Sequence, residues 1–108
     1  MAGSETHSQP LPAFLETLSQ RDPEFAELVV QVRGRALYTP GALDVKTKLL
    51  MAFALDAAAG QESGARILLG RAREAGATQA EIDETLRVLY SVGGLQNLTL
   101  ALRLLEEQ

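Results

Sequence analysis

Three charged residues near the middle of the chain have types that can do acid–base chemistry: Asp56, Glu62 and Arg66. Asp56 lies in the apolar run 51–59, where an unpaired charge is costly. It is therefore either an acid or base in a pocket, with its pKa raised by burial, or an interface or surface acid paired with an arginine. Glu62 and Arg66 lie four residues apart and can hold a polar ligand or form an i,i+4 ion pair. The ion pair is the simpler interpretation in both cases.

Other kinds of catalytic site are excluded by residue type. The chain has no cysteine, so it has no thiol nucleophile and no thiolate metal site. Its one histidine, His7, lies in the polar N-terminal segment, which argues against a histidine-assisted hydrolase or a histidine zinc site. The glycines at 60–64 and 93–94 lack the lysine and the spacing of a phosphate-binding loop. We therefore predict no metal and no cofactor.

Composition and charge narrow the class of protein further. Hydrophobic residues make up 46% of the chain and aromatic residues only 5%, so the core must consist of Leu, Ala, Val and Ile. The net charge is −4 and the basic residues are dispersed, which argues against nucleic-acid binding. The longest apolar run, 49–55, is too short to span a bilayer, and residues 1–9 lack a signal-peptide core. We expect a cytoplasmic protein with no membrane partner.

The elements that must position these residues are all predicted to be helices. A length of 108 residues suggests one domain, with a disordered tail at 1–10 and a helical domain at 11–108. Helix starts are predicted at Asp22-Pro23, at Asp44 and at the capping box of Thr78 and Glu81. No strand alternation is found, and the pattern predicts five or six helices. They cover about residues 12–19, 23–38, 45–59, 62–75, 79–92 and 95–107.

One of these helices is apolar on nearly every face. Residues 49–59 contain one charge, Asp56, and such a helix is buried in a larger core or between subunits. A chain of this length covers it poorly by itself, because small domains bury a smaller share of their surface. We therefore predict an obligate homo-oligomer.

The order of several segments resembles the carboxymuconolactone decarboxylase and alkylhydroperoxidase D-like family. The sequence GALDVKTKLL at 41–50 is followed by an alanine-rich helix, by GQESG at 60–64 and by AREAGATQAEI at 72–82, with Gly-Gly before the last helix. The resemblance covers about residues 43–102. It implies an oligomeric, multi-helical bundle, with self-association into trimers or hexamers.

The resemblance also places the redox residues of the peroxidase branch. Its Cys-x-x-Cys pair falls on Gln61 and Gly64, its histidine on Leu68, and its relay glutamate on Leu49. None of these four residues can attack a peroxide or relay a proton. The resemblance therefore implies a member of the family that is not a thiol peroxidase.

The decarboxylase branch is matched only loosely. Its turn often reads Gly-Arg-Glu, which is similar to 60–62 here, but its histidine also falls on Leu68. If the chain is an enzyme, it is of the carboxy-lyase type. Glu62 and Arg66, with Asp56 as a third, are then the candidate catalytic residues, acting on a small carboxylate or lactone.

Three functions follow as alternatives. The first and favoured one is a divergent small-molecule-binding or structural homo-oligomer. The second is the cofactor-free decarboxylase or lyase, which requires an enclosed, charged pocket near residues 61–68 and fails if Leu49 and Leu68 fill it. The third is an accessory subunit of a hetero-complex, which requires an apolar patch that stays exposed in the homo-oligomer.

Overall fold

The computed structural model describes residues 12–107, and within that range the backbone forms six α-helices and no strand. The all-α prediction is therefore confirmed for this part of the chain. The predicted tail at 1–10, with His7, lies outside the described residues. The helices are α1 (Ala13–Arg21), α2 (Pro23–Leu37), α3 (Val45–Ala58), α4 (Glu62–Glu74), α5 (Gln79–Gly93) and α6 (Leu95–Glu106).

The helix boundaries lie where local chemistry predicts them. The Asp22 carboxylate accepts from the backbone N–H of Phe25 at 3.2 Å and begins α2. The Asp44 carboxylate likewise accepts from the backbone N–H of Thr47 at 2.8 Å and begins α3. Gly94 separates α5 from α6 with a φ of 88°, a left-handed conformation that glycine adopts at little cost.

The capping box at the start of α5 is confirmed and also links two helices. The Thr78 hydroxyl accepts from the Glu81 backbone N–H at 3.1 Å, and the Thr78 N–H donates to the Glu81 carboxylate at 2.9 Å. The same carboxylate accepts from Lys46 Nζ of α3 at 2.8 Å. That hydrogen bond lowers the pKa of Glu81 and raises the pKa of Lys46. A helix cap thus also joins α3 to α5.

The chain divides between Thr39 and Pro40 into two compact units. In the first unit, α1 and α2 pack together and bury Leu15 and Ala26. The Arg33 guanidinium lies over the Phe14 ring, 5.5 Å from its centroid, which is a cation–π contact. The expectation that residues 11–108 form one domain stays a prediction.

The second unit is built around α3, which contacts α4, α5 and α6. Its core is the aliphatic one that the composition predicts, with Phe53 as its one aromatic residue among those described. The buried side chains are Leu49, Phe53 and Ala57 of α3, Ala65, Leu68, Leu69 and Ala72 of α4, Ile82, Leu86 and Leu89 of α5, and Ala101 and Leu104 of α6.

The Thr78 cap gives a direct test of this local structure. Thr78→Ala removes the acceptor for the Glu81 N–H and should lower the free energy of unfolding by about 1 kcal/mol. Thr78→Ser keeps the hydroxyl and should cost much less. Urea denaturation followed by circular dichroism measures both, and equal losses in the two variants would contradict the capping role.

Candidate functional site

The predicted pair of Glu62 and Arg66 belongs to a chain of four alternating charges. Arg66 Nη2 lies 3.3 Å from a Glu62 oxygen, as the i,i+4 interpretation predicts. Arg66 Nε also donates to Glu107 at 2.7 Å, and Arg103 of α6 donates to the other Glu62 oxygen at 3.0 Å. The start of α4 is therefore tied to the end of α6 and the residue after it. Arg103 and Glu107 were not singled out from the sequence.

This ion cluster (Glu62, Arg66, Arg103 and Glu107) is partly exposed to solvent. The four side chains keep between 41% and 53% of their surface accessible. The hydrogen bond with Arg66 holds the pKa of Glu107 below its ordinary value, and Glu107 in turn raises the pKa of Arg66. Because two carboxylates already contact the Arg66 guanidinium, a substrate carboxylate would have to displace one of them.

Asp56 does not join this cluster. It is half-buried on α3, and its side chain forms no hydrogen bond or ion pair with another residue in the range 12–107. Its backbone carbonyl accepts from the Gln61 N–H at 2.8 Å, which closes the turn into α4. Its carboxylate lies against Gly64, in the space that a Cβ atom at that position would fill. The predicted pairing of Asp56 with an arginine is not formed within this range.

The positions that correspond to the peroxidase residues hold no reactive groups. Gln61 precedes α4 and is exposed, and Gly64 lies beside Asp56 in the first turn. Leu49 and Leu68 are 2% and 8% exposed, so both contribute to the core. Where a proton relay would need polar groups, the second unit has apolar packing.

A groove lies between α3 and α5, away from the ion cluster. It has a volume of about 440 Å³ and almost no polar surface. Its lining residues are Thr47, Leu50, Met51, Ala54, Leu55 and Ala58 of α3, with Thr85, Val88, Leu89, Val92 and Gly93 of α5. This surface, called the apolar groove below, is partly open to solvent.

The rim of the apolar groove consists of large hydrophobic side chains that are exposed to solvent. The exposed fractions are 68% for Leu55, 63% for Val88 and 88% for Val92. The sequence identified 49–59 as apolar on nearly every face, and residues of this segment form most of the α3 side of the groove. The α5 side was missed, although Val88 and Val92 stand four residues apart and so share a helix face.

Two further features of the described residues bear on function. No group of three or more His, Cys, Asp or Glu side chains in residues 12–107 is placed to hold a metal ion. Over the same range, no helix combines the length and the apolar character needed to cross a membrane.

The chain is similar to proteins of one family. The model of the carboxymuconolactone decarboxylase family matches residues 23–107, whereas no curated protein matches the chain. A crystal structure of an apo carboxymuconolactone decarboxylase family protein from Legionella pneumophila is similar, with 30% identity and a TM-score of 0.77. The match covers 85% of this chain and 81% of that one.

A second solved structure shares the fold. It is a Burkholderia xenovorans LB400 protein provisionally named a carboxymuconolactone decarboxylase. It is 24% identical, with a TM-score of 0.77 over 98% of this chain and 88% of that one. This similarity shows the same all-α fold.

The ion cluster predicts an acid-sensitive contribution to stability. Because the pKa of Glu107 is lowered in the folded protein, its stabilising effect is complete above the ordinary glutamate pKa of about 4.3. The effect is lost as the pH falls through the lower, folded value. Glu107→Gln should therefore lower the urea midpoint at pH 7 and lower it less at pH 3.

Glu106→Gln is the matched control for this prediction. Glu106 is exposed and forms no ion pair within residues 12–107, so its variant should follow the wild-type protein at both pH values. A loss in Glu107→Gln that is the same at pH 3 and pH 7 would contradict the ion-pair account.

The contact of Asp56 with Gly64 predicts an energetic coupling between them. Gly64→Ala should stabilise the wild-type protein less than it stabilises an Asp56→Ala variant, because the new Cβ atom displaces the Asp56 carboxylate. In an Asp56→Ala background the same change should stabilise by up to about 1 kcal/mol, as alanine is the better helix former. The free energies of unfolding of the four proteins form the double-mutant cycle.

Gly70→Ala is the control for this cycle, since nothing lies within 4 Å of a Cβ atom at that α4 position. It should stabilise both backgrounds equally. If Gly64→Ala stabilises the wild-type protein as much as Gly70→Ala does, Asp56 does not occupy the space beside Gly64.

Proposed function

Since the chain belongs to the carboxymuconolactone decarboxylase family and has no cysteine for thiol peroxidase activity, we propose that it acts as a structural homo-oligomer. The proposed assembly forms through the apolar groove between α3 and α5. In this assembly, a second copy of the chain covers the groove of each subunit. Three or six copies are expected, as the family resemblance implies. The observation that carries the proposal is the exposed apolar rim of the groove.

The groove favours association because almost none of its surface is polar, so it forms few hydrogen bonds with water. Contiguous exposed apolar patches on small proteins mark sites of interaction. Covering Leu55 and Val92, which are 68% and 88% exposed, removes apolar surface that a monomer leaves in water. That gain is the usual driving force of protein association.

The open shape of the groove favours a second copy over a small molecule. Ligand pockets usually enclose most of the ligand surface and place a few polar groups to orient it. This groove is open, and only Thr47 and Thr85 bring hydroxyl groups to its lining. A helix from another subunit covers such a surface more completely than a small ligand does.

The charged residues favour a structural role over catalysis. The Arg66 guanidinium is held by Glu62 and Glu107, which leaves it poorly suited to bind a substrate carboxylate. Leu49 and Leu68 are buried, which weighs against the enclosed charged pocket that a lyase needs. We therefore propose that the ion cluster fastens α6 to α4, and that the catalytic assignment of Asp56, Glu62 and Arg66 is the less favoured alternative.

The proposal is tested by placing a charge on the groove rim. Val92→Glu changes a side chain that is 88% exposed, so it should leave the fold intact while placing a carboxylate in the covered surface. Light scattering after size exclusion should give a mass well above the monomer's 11.6 kDa for the wild-type protein and a smaller mass for Val92→Glu. Gln96→Glu adds the same charge at an exposed position outside the groove and should keep the wild-type mass.

Two results would overturn the proposal. One is a wild-type mass of 11.6 kDa at tens of micromolar protein. The other is a Val92→Glu protein that keeps the full wild-type mass. If native mass spectrometry of a monomeric wild-type protein shows a copurified apolar compound that Val92→Glu loses, the groove is a small-molecule site instead.

A further inference from the structure

Helix α2 presents an apolar stripe that the described structure leaves largely uncovered. Phe25, Leu28 and Val32 follow one another at intervals of three and four residues, so they lie on one face of the helix. Their exposed fractions are 52%, 54% and 66%. The half-buried Val29 and the exposed Ala36 extend the same face. An exposed stripe of this kind is typical of a helix that packs against another helix.

Two charges border this stripe along one edge. Glu24 and Arg35 are eleven residues apart, which is close to three full turns, and so they stand on the same side of the helix. Neither forms an ion pair or a side-chain hydrogen bond with a residue in the range 12–107. The edge therefore carries an acid near the start of α2 and a base near its end, neither of them paired within residues 12–107.

We propose that α2 pairs with α2 of a second copy of this chain in an antiparallel arrangement. A two-fold axis between two antiparallel helices brings the same edge of both helices together. It also places the start of one helix beside the end of the other. Glu24 then faces the partner's Arg35, and the symmetry forms this ion pair twice.

The apolar residues agree with this register. When Glu24 is level with the partner's Arg35, Phe25 and the partner's small Ala36 are offset by two residues, or about 3 Å along the helix axes. Val29 and the partner's Val32 have the same small offset, so both pairs remain within reach of contact. A parallel pairing would instead bring Glu24 level with the partner's Glu24 and leave both charges without an opposite partner. The charge order along α2 thus selects the antiparallel orientation.

This contact is independent of the apolar groove. The groove lies on α3 and α5, whereas the proposed contact uses α2 alone. One pair of 15-residue helices buries less surface than a typical stable dimer interface. The α2 contact by itself should therefore be weak and dependent on protein concentration.

The test exchanges the two charges in the Val92→Glu background, where the groove contact is weakened. Sedimentation equilibrium should show a monomer–dimer equilibrium for Val92→Glu alone. Adding Glu24→Arg or Arg35→Glu should weaken dimerisation roughly tenfold, because each change turns two attractions into two repulsions. Adding both changes should restore it, since the opposite charges face each other again.

Each outcome decides the proposal. Recovery in the double exchange supports an antiparallel contact between copies. If Val92→Glu alone is monomeric at all concentrations, the α2 contact is absent and the stripe is covered by the same chain or by nothing. Dimerisation that neither single exchange weakens also overturns the proposal. An unchanged mass in Val92→Glu relative to the wild-type protein counts against the groove proposal and not against this one.

A cross-linking experiment supplies a readout that does not depend on affinity. Because the chain has no cysteine, a mixture of Glu24→Cys and Arg35→Cys proteins contains only the introduced thiols. In an equimolar mixture, random encounters give the mixed disulfide twice as often as either self-disulfide. Mild oxidation should therefore give the mixed disulfide well above that two-to-one ratio. A ratio of two to one or below would contradict the proposed register.

Discussion

The structure of the second unit depends on one apolar helix, α3, which its three neighbouring helices bury only in part. Helix α3 contributes Leu49, Phe53 and Ala57 to the core and contacts all three other helices of its unit. Those contacts still leave Met51 and Leu55 at the surface, 49% and 68% exposed. A helix that is apolar on nearly every face cannot turn these residues towards water without cost. The apolar groove is the direct consequence.

Packing and ion pairs occupy the region where the sequence resemblance would place a catalytic site. Leu49 and Leu68, the positions to which that resemblance assigns a relay glutamate and a histidine, are both buried. Beside them, Gly64 leaves room for the Asp56 carboxylate. The first two turns of α4 are thus joined to α6, because Glu62 and Arg66 both contact charges at the end of α6 or just after it.

Local chemistry made much of the fold predictable, and distance along the chain set the limit. Asp22, Asp44 and the capping box of Thr78 and Glu81 act on backbone atoms three residues away, so their roles are visible in the sequence. The i,i+4 pair of Glu62 and Arg66 was predictable for the same reason. The bonds from Arg66 to Glu107 and from Arg103 to Glu62 each span 41 residues, and only the packing of α6 on α4 creates them.

The two proposed contacts between copies contribute differently, the groove to the free energy of association and the α2 charges to the orientation of the subunits. The apolar groove supplies surface whose burial is favourable but has no preferred direction, because hydrophobic association is not directional. The charges on α2 supply little energy at an exposed edge, yet their order along the helix permits one orientation and penalises the other. An assembly that used only the groove would leave the relative orientation of its subunits to shape alone. Glu24 and Arg35 add an electrostatic constraint on orientation, which is the more common contribution of charges at an interface.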